Sequence, residues 1–153
     1  MDQLGPTVEF LTSPDDEHND FCVLKGTIPP GGFVPLHAHA DTEDFIVLSG
    51  EVEGLRKNGQ SYEWIPAKAG DFVHVPGNAP HAWRNRGSVP VITFIITTRR
   101  LGHFFQEVGR PVTDASRPVT PADLARFAEV AIRYGHWLAT PEENAAVGIS
   151  VSF

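Results

Sequence analysis

Proline and glycine punctuate the first hundred residues so closely that no long helix fits there. Most of the 13 prolines and 14 glycines lie before Arg99. They leave short apolar, β-branched and aromatic runs: Phe21–Leu24, Phe45–Leu48, Phe72–Val75 and Val91–Thr98. Runs of this length bounded by turn residues read as the strands of an all-β sandwich or barrel. Asn58-Gly59, between the strand-like stretches Glu51–Leu55 and Tyr62–Ile65, predicts a tight hairpin because both residues tolerate positive φ. Ala69-Gly70-Asp71 and Pro76-Gly77-Asn78 mark two further corners.

The texture changes after Arg99. Leu101, Phe104, Phe105 and Val108 recur at helical spacing. A clearer helix starts at Thr120, which can cap the first turn, with Pro121 inside it and Asp123 completing a capping box. Leu124, Phe127, Ala128, Ala131 and Tyr134 then form one apolar stripe, and Gly135 can end the helix. Thr140-Pro141-Glu142-Glu143 repeats the start signal. The expected organisation is a β-barrel over residues 1–99 and a helical extension over 100–153 that packs on it, the two forming a single domain.

The chemistry is concentrated in Gly31-Gly32-Phe33-Val34-Pro35-Leu36-His37-Ala38-His39-Ala40-Asp41-Thr42-Glu43. Residues two apart on a strand share a face, so His37 and His39 would stand side by side, and Glu43 keeps their parity. Two neutral nitrogens and a carboxylate suit a borderline divalent cation. A His-x-His pair alone is a weak sign of metal. A second block supplies what the first lacks: Gly70-Asp71-Phe72-Val73-His74-Val75-Pro76-Gly77-Asn78-Ala79-Pro80-His81-Ala82-Trp83-Arg84-Asn85. There His81 follows a turn and opens a strand, as a fourth ligand from another part of a barrel would.

Together the two blocks resemble the two motifs of the cupin superfamily, in its small single-domain form. The first runs from Gly31 through His37, His39 and Glu43 to Gly50, and the second through Gly70, Pro76, His81 and Asn85. One position departs, since Asn78 stands where a glycine is expected, but asparagine also tolerates left-handed backbone. The resemblance implies an all-β antiparallel jelly-roll barrel with a short helical C-terminal appendage. It also implies one divalent transition metal (iron, manganese, nickel, copper, cobalt or zinc) held by His37, His39, Glu43 and His81. Phe33, Phe45, Val47 and Trp83 share strand parity with neighbouring ligands, which makes them the candidate apolar lining of a substrate pocket.

Three function classes follow from the resemblance. The first is a quercetinase-like oxygenase or dioxygenase acting on a small, metal-chelating aromatic or dicarbonyl-type substrate, with Glu43, the candidate catalytic residue, as ligand or as base. The second is a non-redox isomerase or a cupin-type polyketide cyclase, and the third a binding protein without turnover. The remaining histidines read as bland: His74 as a surface or structural residue, and His18, His103 and His136 as exposed or capping. Asn85 is expected to brace its turn.

The formal charge of −7 speaks against a nucleic-acid or anionic-membrane partner, leaving a small molecule or a second copy of the chain. The apolar run Val8–Leu11, near an open sheet edge, and the family resemblance both point to a homodimer. The single cysteine, Cys22, and a start without basic and apolar signal features suit a cytoplasmic protein.

Overall fold

Val91, Thr93, Ile95 and Thr97 are buried while the residues between them are half-exposed, and this period of two sets the architecture. The computed structural model describes residues 1–112 and 118–151. Its strands are β1 (Thr7–Phe10), β2 (Phe21–Ile28), β3 (Phe33–Ala38), β4 (Glu43–Ser49), β5 (Glu51–Asn58), β6 (Ser61–Lys68), β7 (Phe72–Val75), β8 (His81–Arg84), β9 (Val91–Thr98) and β10 (Trp137–Leu138). Three helices follow or interleave: α1 (Arg99–Val108), α2 (Pro121–Arg133) and α3 (Pro141–Ala146).

Among the described residues the strands form two five-stranded antiparallel sheets, ordered β1-β2-β9-β4-β7 and β10-β3-β8-β5-β6. Their inner faces meet in one core. Leu24, Phe45, Val47, Val91 and Ile95 of the first sheet pack against Val52, Ala67 and Trp83 of the second. Each side chain of this size contributes about 1.5–3 kcal/mol when fully buried. This is the jelly-roll architecture expected from the sequence.

Local backbone demands explain the corners. β5 and β6 pair down to Asn58 opposite Ser61, so Gly59 and Gln60 form the loop, one residue later than the Asn58-Gly59 pair suggests. Gly59 has φ +63, as the first position of a primed hairpin turn requires. Asn78 has φ +64, so it takes the left-handed geometry expected of the residue that replaces the motif glycine.

The segment after Arg99 closes on the barrel. Thr120 and Asp123 form the capping box that starts α2, and Thr140 and Glu143 form another at α3. Leu101, Phe104, Val108, Val130 and Ala131 bury the facing sides of α1 and α2. Ala139 and Ile149 pack on Leu36, Leu55 and Ala82, on the outer side of the second sheet. Between these helices lies a strand that periodicity does not reveal: β10 pairs antiparallel with β3, Trp137 opposite Ala38 and Leu138 opposite His37.

A register shift in β3 decides which side chains reach the interior. Val34 pairs with Trp83 and His37 with His81, so three residues on β3 span two on β8. Such a bulge re-aims the side chains that follow it. Val34 therefore packs into the main core, while Phe33 packs with Leu36 and Leu55 on the outer side. The even spacing of Phe33 from His37 suggests a shared face, and the bulge breaks that parity.

Candidate metal centre

Three of the four candidate ligands sit at strand ends, which gathers them at one end of the barrel. Glu43 opens β4, His81 opens β8, and His37 is the penultimate residue of β3, with His39 one residue beyond that strand. One ligand atom from each of His37, His39, Glu43 and His81 lies within 4.8 Å of all the others. This group could hold a metal ion.

The hydrogen bonds fix how the imidazoles present themselves. Nδ1 of His37 lies 2.7 Å from the Pro35 carbonyl, Nδ1 of His39 2.8 Å from that of Asp41, and Nδ1 of His81 2.8 Å from that of Ala79. A carbonyl only accepts, so each Nδ1 carries the proton and donates it. The Nε2 atoms are then the ends free to coordinate, a backbone-braced arrangement typical of metal-ligating histidines. Nε2 of His81 is fully buried without a hydrogen-bond partner. An orphaned polar atom of this kind is costly unless something meets it. Three nitrogens, one of them this unmet atom, and one carboxylate fit a borderline divalent cation.

The electrostatics of the metal-free cluster agree. Burial, helped by His81 and His39 nearby, holds His37 well below the usual imidazole range, so it stays neutral. Burial works against protonation of His39, but its bond to Glu43 prevails and raises it. His39 Nε2 and Glu43 Oε1 are 2.7 Å apart. Burial would push Glu43 up, yet His39 and His81 beside it hold the carboxyl well below the usual carboxylate range. Glu43 is therefore an anion in a buried site, ready to receive positive charge.

The layer below the ligands is apolar. Phe45 stands two residues from Glu43 and Trp83 two from His81, and their ring centroids are 4.6 Å apart. Val47 is buried in the same cluster. Phe33 does not join them. On the other flank His81 pairs with Arg56 of β5, whose guanidinium forms an exposed ion pair with Glu63 at 2.7 Å.

Residues 24–97 match the cupin domain family. The chain belongs to the cupin superfamily. Quercetin 2,3-dioxygenase of Bacillus subtilis (strain 168) is 30% identical to this cupin over 105 residues. That match takes in 66% of this chain but spans only 30% of the relative's length. Among solved structures, the cupin domain of an XRE-family transcriptional regulator from Enterobacter cloacae has TM-score 0.50 and 30% identity, covering 61% of this chain and 96% of that one. A conserved Klebsiella pneumoniae protein with a double-stranded β-helix domain has TM-score 0.51 and 25% identity, covering 61% of this chain and 76% of the other.

His136 does not behave as an exposed or capping histidine. It is buried, and its ring centroid lies 5.2 Å from that of His39. Its placement depends on β10, a strand of two residues that no local pattern announces. His74, by contrast, lies at the surface and bonds Asp44 at 2.5 Å. Asn85 braces its turn as expected: its Nδ2 donates to the carbonyls of Ile28 and Val89, and its Oδ1 accepts from Gly87 N–H. Among the described residues no helix is long and apolar enough to cross a membrane.

Proposed function

We propose that this cupin holds one divalent transition metal through His37, His39, Glu43 and His81 and acts as a dioxygenase on a small metal-chelating aromatic or dicarbonyl substrate. The convergence of four donors, the unmet Nε2 of His81 among them, carries this reading. Likeness to a quercetin 2,3-dioxygenase supports the reaction class. A bound metal would supply a Lewis acid for the chelating oxygens of the substrate. Phe45, Val47 and Trp83 give the site an apolar floor that excludes water below the ligands. Glu43 would take the proton of an enol or phenol on swinging away from the metal and from His39, whose bond otherwise keeps it a weak base.

Elemental analysis is expected to find about one equivalent of metal per chain, falling steeply in His39→Ala and His81→Ala. Glu43→Gln keeps part of the metal and loses most turnover. Oxygen uptake with flavonols, catechols and 1,3-dicarbonyl compounds, on iron-, manganese-, nickel- and copper-loaded protein, tests the reaction. Metal-dependent conversion that runs equally well without oxygen would replace the dioxygenase reading with an isomerase or cyclase.

We infer a homodimer from a separate feature, the outer face of the first sheet. On the outward face of the first sheet Ile46 pairs with both Phe72 and Phe94, giving an apolar row that ends in the exposed Phe72. Exposed apolar rows of this kind favour association. The Val8–Leu11 run contributes less than the sequence suggests, because Val8 and Phe10 pack into the core. A monomer mass by light scattering at working concentration would dispose of the dimer.

A further inference from the structure

The arm between α2 and α3 brings a second unmet polar atom to the ligand cluster. Leu138 stands opposite His37 across the β10–β3 pair, and cross-strand partners share a face. His136 stands one residue before that strand, and its ring centroid lies 5.2 Å from that of His39. Its Nε2 is fully buried with no hydrogen-bond partner, and the residue as a whole is only 8% exposed. His136 does not belong to the group whose donors lie within 4.8 Å of one another, so it neighbours the four ligands rather than joining them. Two aromatic rings flank it, Phe104 at 4.4 Å and Tyr134 at 6.2 Å between ring centroids, and the charged Asp41, Arg100 and Glu43 lie near enough to act on it.

The position is braced from both sides. Arg100 donates to Asp41 Oδ2 at 3.5 Å and to the Tyr134 carbonyl at 2.5 Å. One guanidinium thus ties the loop after His39 to the arm that carries His136. A group buried in a fixed place without a partner loses its hydration and gains nothing in return, unless a ligand supplies the missing bond.

We propose that His136 Nε2 is a hydrogen-bonding contact for the ligand held at the four-residue cluster, a planar oxygen chelator of the catechol or enol type. The inference rests on the metal reading above. The chelating oxygens face the cluster, and the one nearer His136 also accepts from its Nε2–H. His136 selects for that polar edge, while the four ligands hold the metal without it.

Binding of 4-nitrocatechol to cobalt-loaded protein, followed by its visible spectrum, tests the assignment. His136→Phe is expected to keep its metal and its melting temperature but to weaken the probe about tenfold or more, the loss expected for a hydrogen bond to a charged oxygen. His136→Gln, which keeps a donor, is expected to recover part of the affinity. Wild-type affinity in a fully loaded His136→Phe would overturn the proposal. So would metal loss in both variants, which would make His136 part of the metal holder, or failure of both to fold, which would make it a core residue. Wild-type protein that takes up no metal would instead defeat the metal reading, and the inference with it.

Discussion

Gly54 lies directly against the indole of Trp83: a Cβ on Gly54 would come within 2.8 Å of its Cζ3. The two residues are cross-strand partners on β5 and β8. Trp83 can lie over the strand only because that partner has no side chain, and from there its ring packs, tilted, against Phe45 below the four-residue cluster. Gly54→Ala is therefore expected to displace the indole and cost about 1–3 kcal/mol, the range for overpacking a filled core. Tryptophan emission and a thermal melt would check this. A variant with wild-type melting and spectrum would show that the ring yields at no cost.

Asn85 ties the end of β2 to the loop between β8 and β9. Its side chain serves Ile28, Val89 and Gly87 from a position 1% exposed. Asn85→Ala leaves those groups unmet, at an expected cost of about 2–4 kcal/mol. Asn85→Asp keeps the shape but loses both donors and buries a charge, so it should be no better than Ala. Urea midpoints decide. An Asp variant as stable as wild type would mean that water or a proton restores the network.

The candidate ligand group was legible in the sequence because its cue is chemical and short-range. His37, His39 and Glu43 fall within one strand–turn–strand, and His81 follows a turn built on Asn78, whose left-handed φ the residue type allows. The strands were legible through their period of two. Phe33 was not, because a bulge between Val34 and His37 leaves no mark in composition. The arm was hidden for a different reason. β10 is two residues long and owes its existence to pairing with β3, about a hundred residues away in the chain. His136 and Leu138 therefore carried no sign of their place beside the cluster.

Asn144 fastens that arm. Its Oδ1 accepts from Leu36 N–H at 2.9 Å, and its Nδ2 donates to the carbonyls of Ala139 and Thr140. One buried amide thus joins α3 to the strand that carries His37. Asn144→Ala is expected to cost about 2–3 kcal/mol and to speed hydrogen exchange at Leu36 and through residues 137–149. Removing the chain from Thr120 onward would go further, baring Leu36, Leu55 and Phe104. A truncated protein that dissolves and melts like the full chain would show that the barrel does not need its cover.

His136 also predicts how the protein responds to acid. Burial, with a smaller contribution from His39, lowers its pKa from 6.5 to about 4, so the folded protein keeps the ring neutral where an unfolded chain would protonate it. Between those two values the unfolded state binds more protons, and stability rises with pH. The contribution of His136 is therefore complete above pH 6.5, falls away as the pH drops towards about 4, and levels off below that. Urea titrations of chelator-treated protein across this window should show a decline that is shallower in His136→Phe, which has no ring to protonate. Acidic side chains elsewhere titrate in both proteins and cancel in the difference. Parallel curves for the two proteins would mean that His136 accepts its proton as readily in the folded state as in the unfolded chain, and that the arm opens around it.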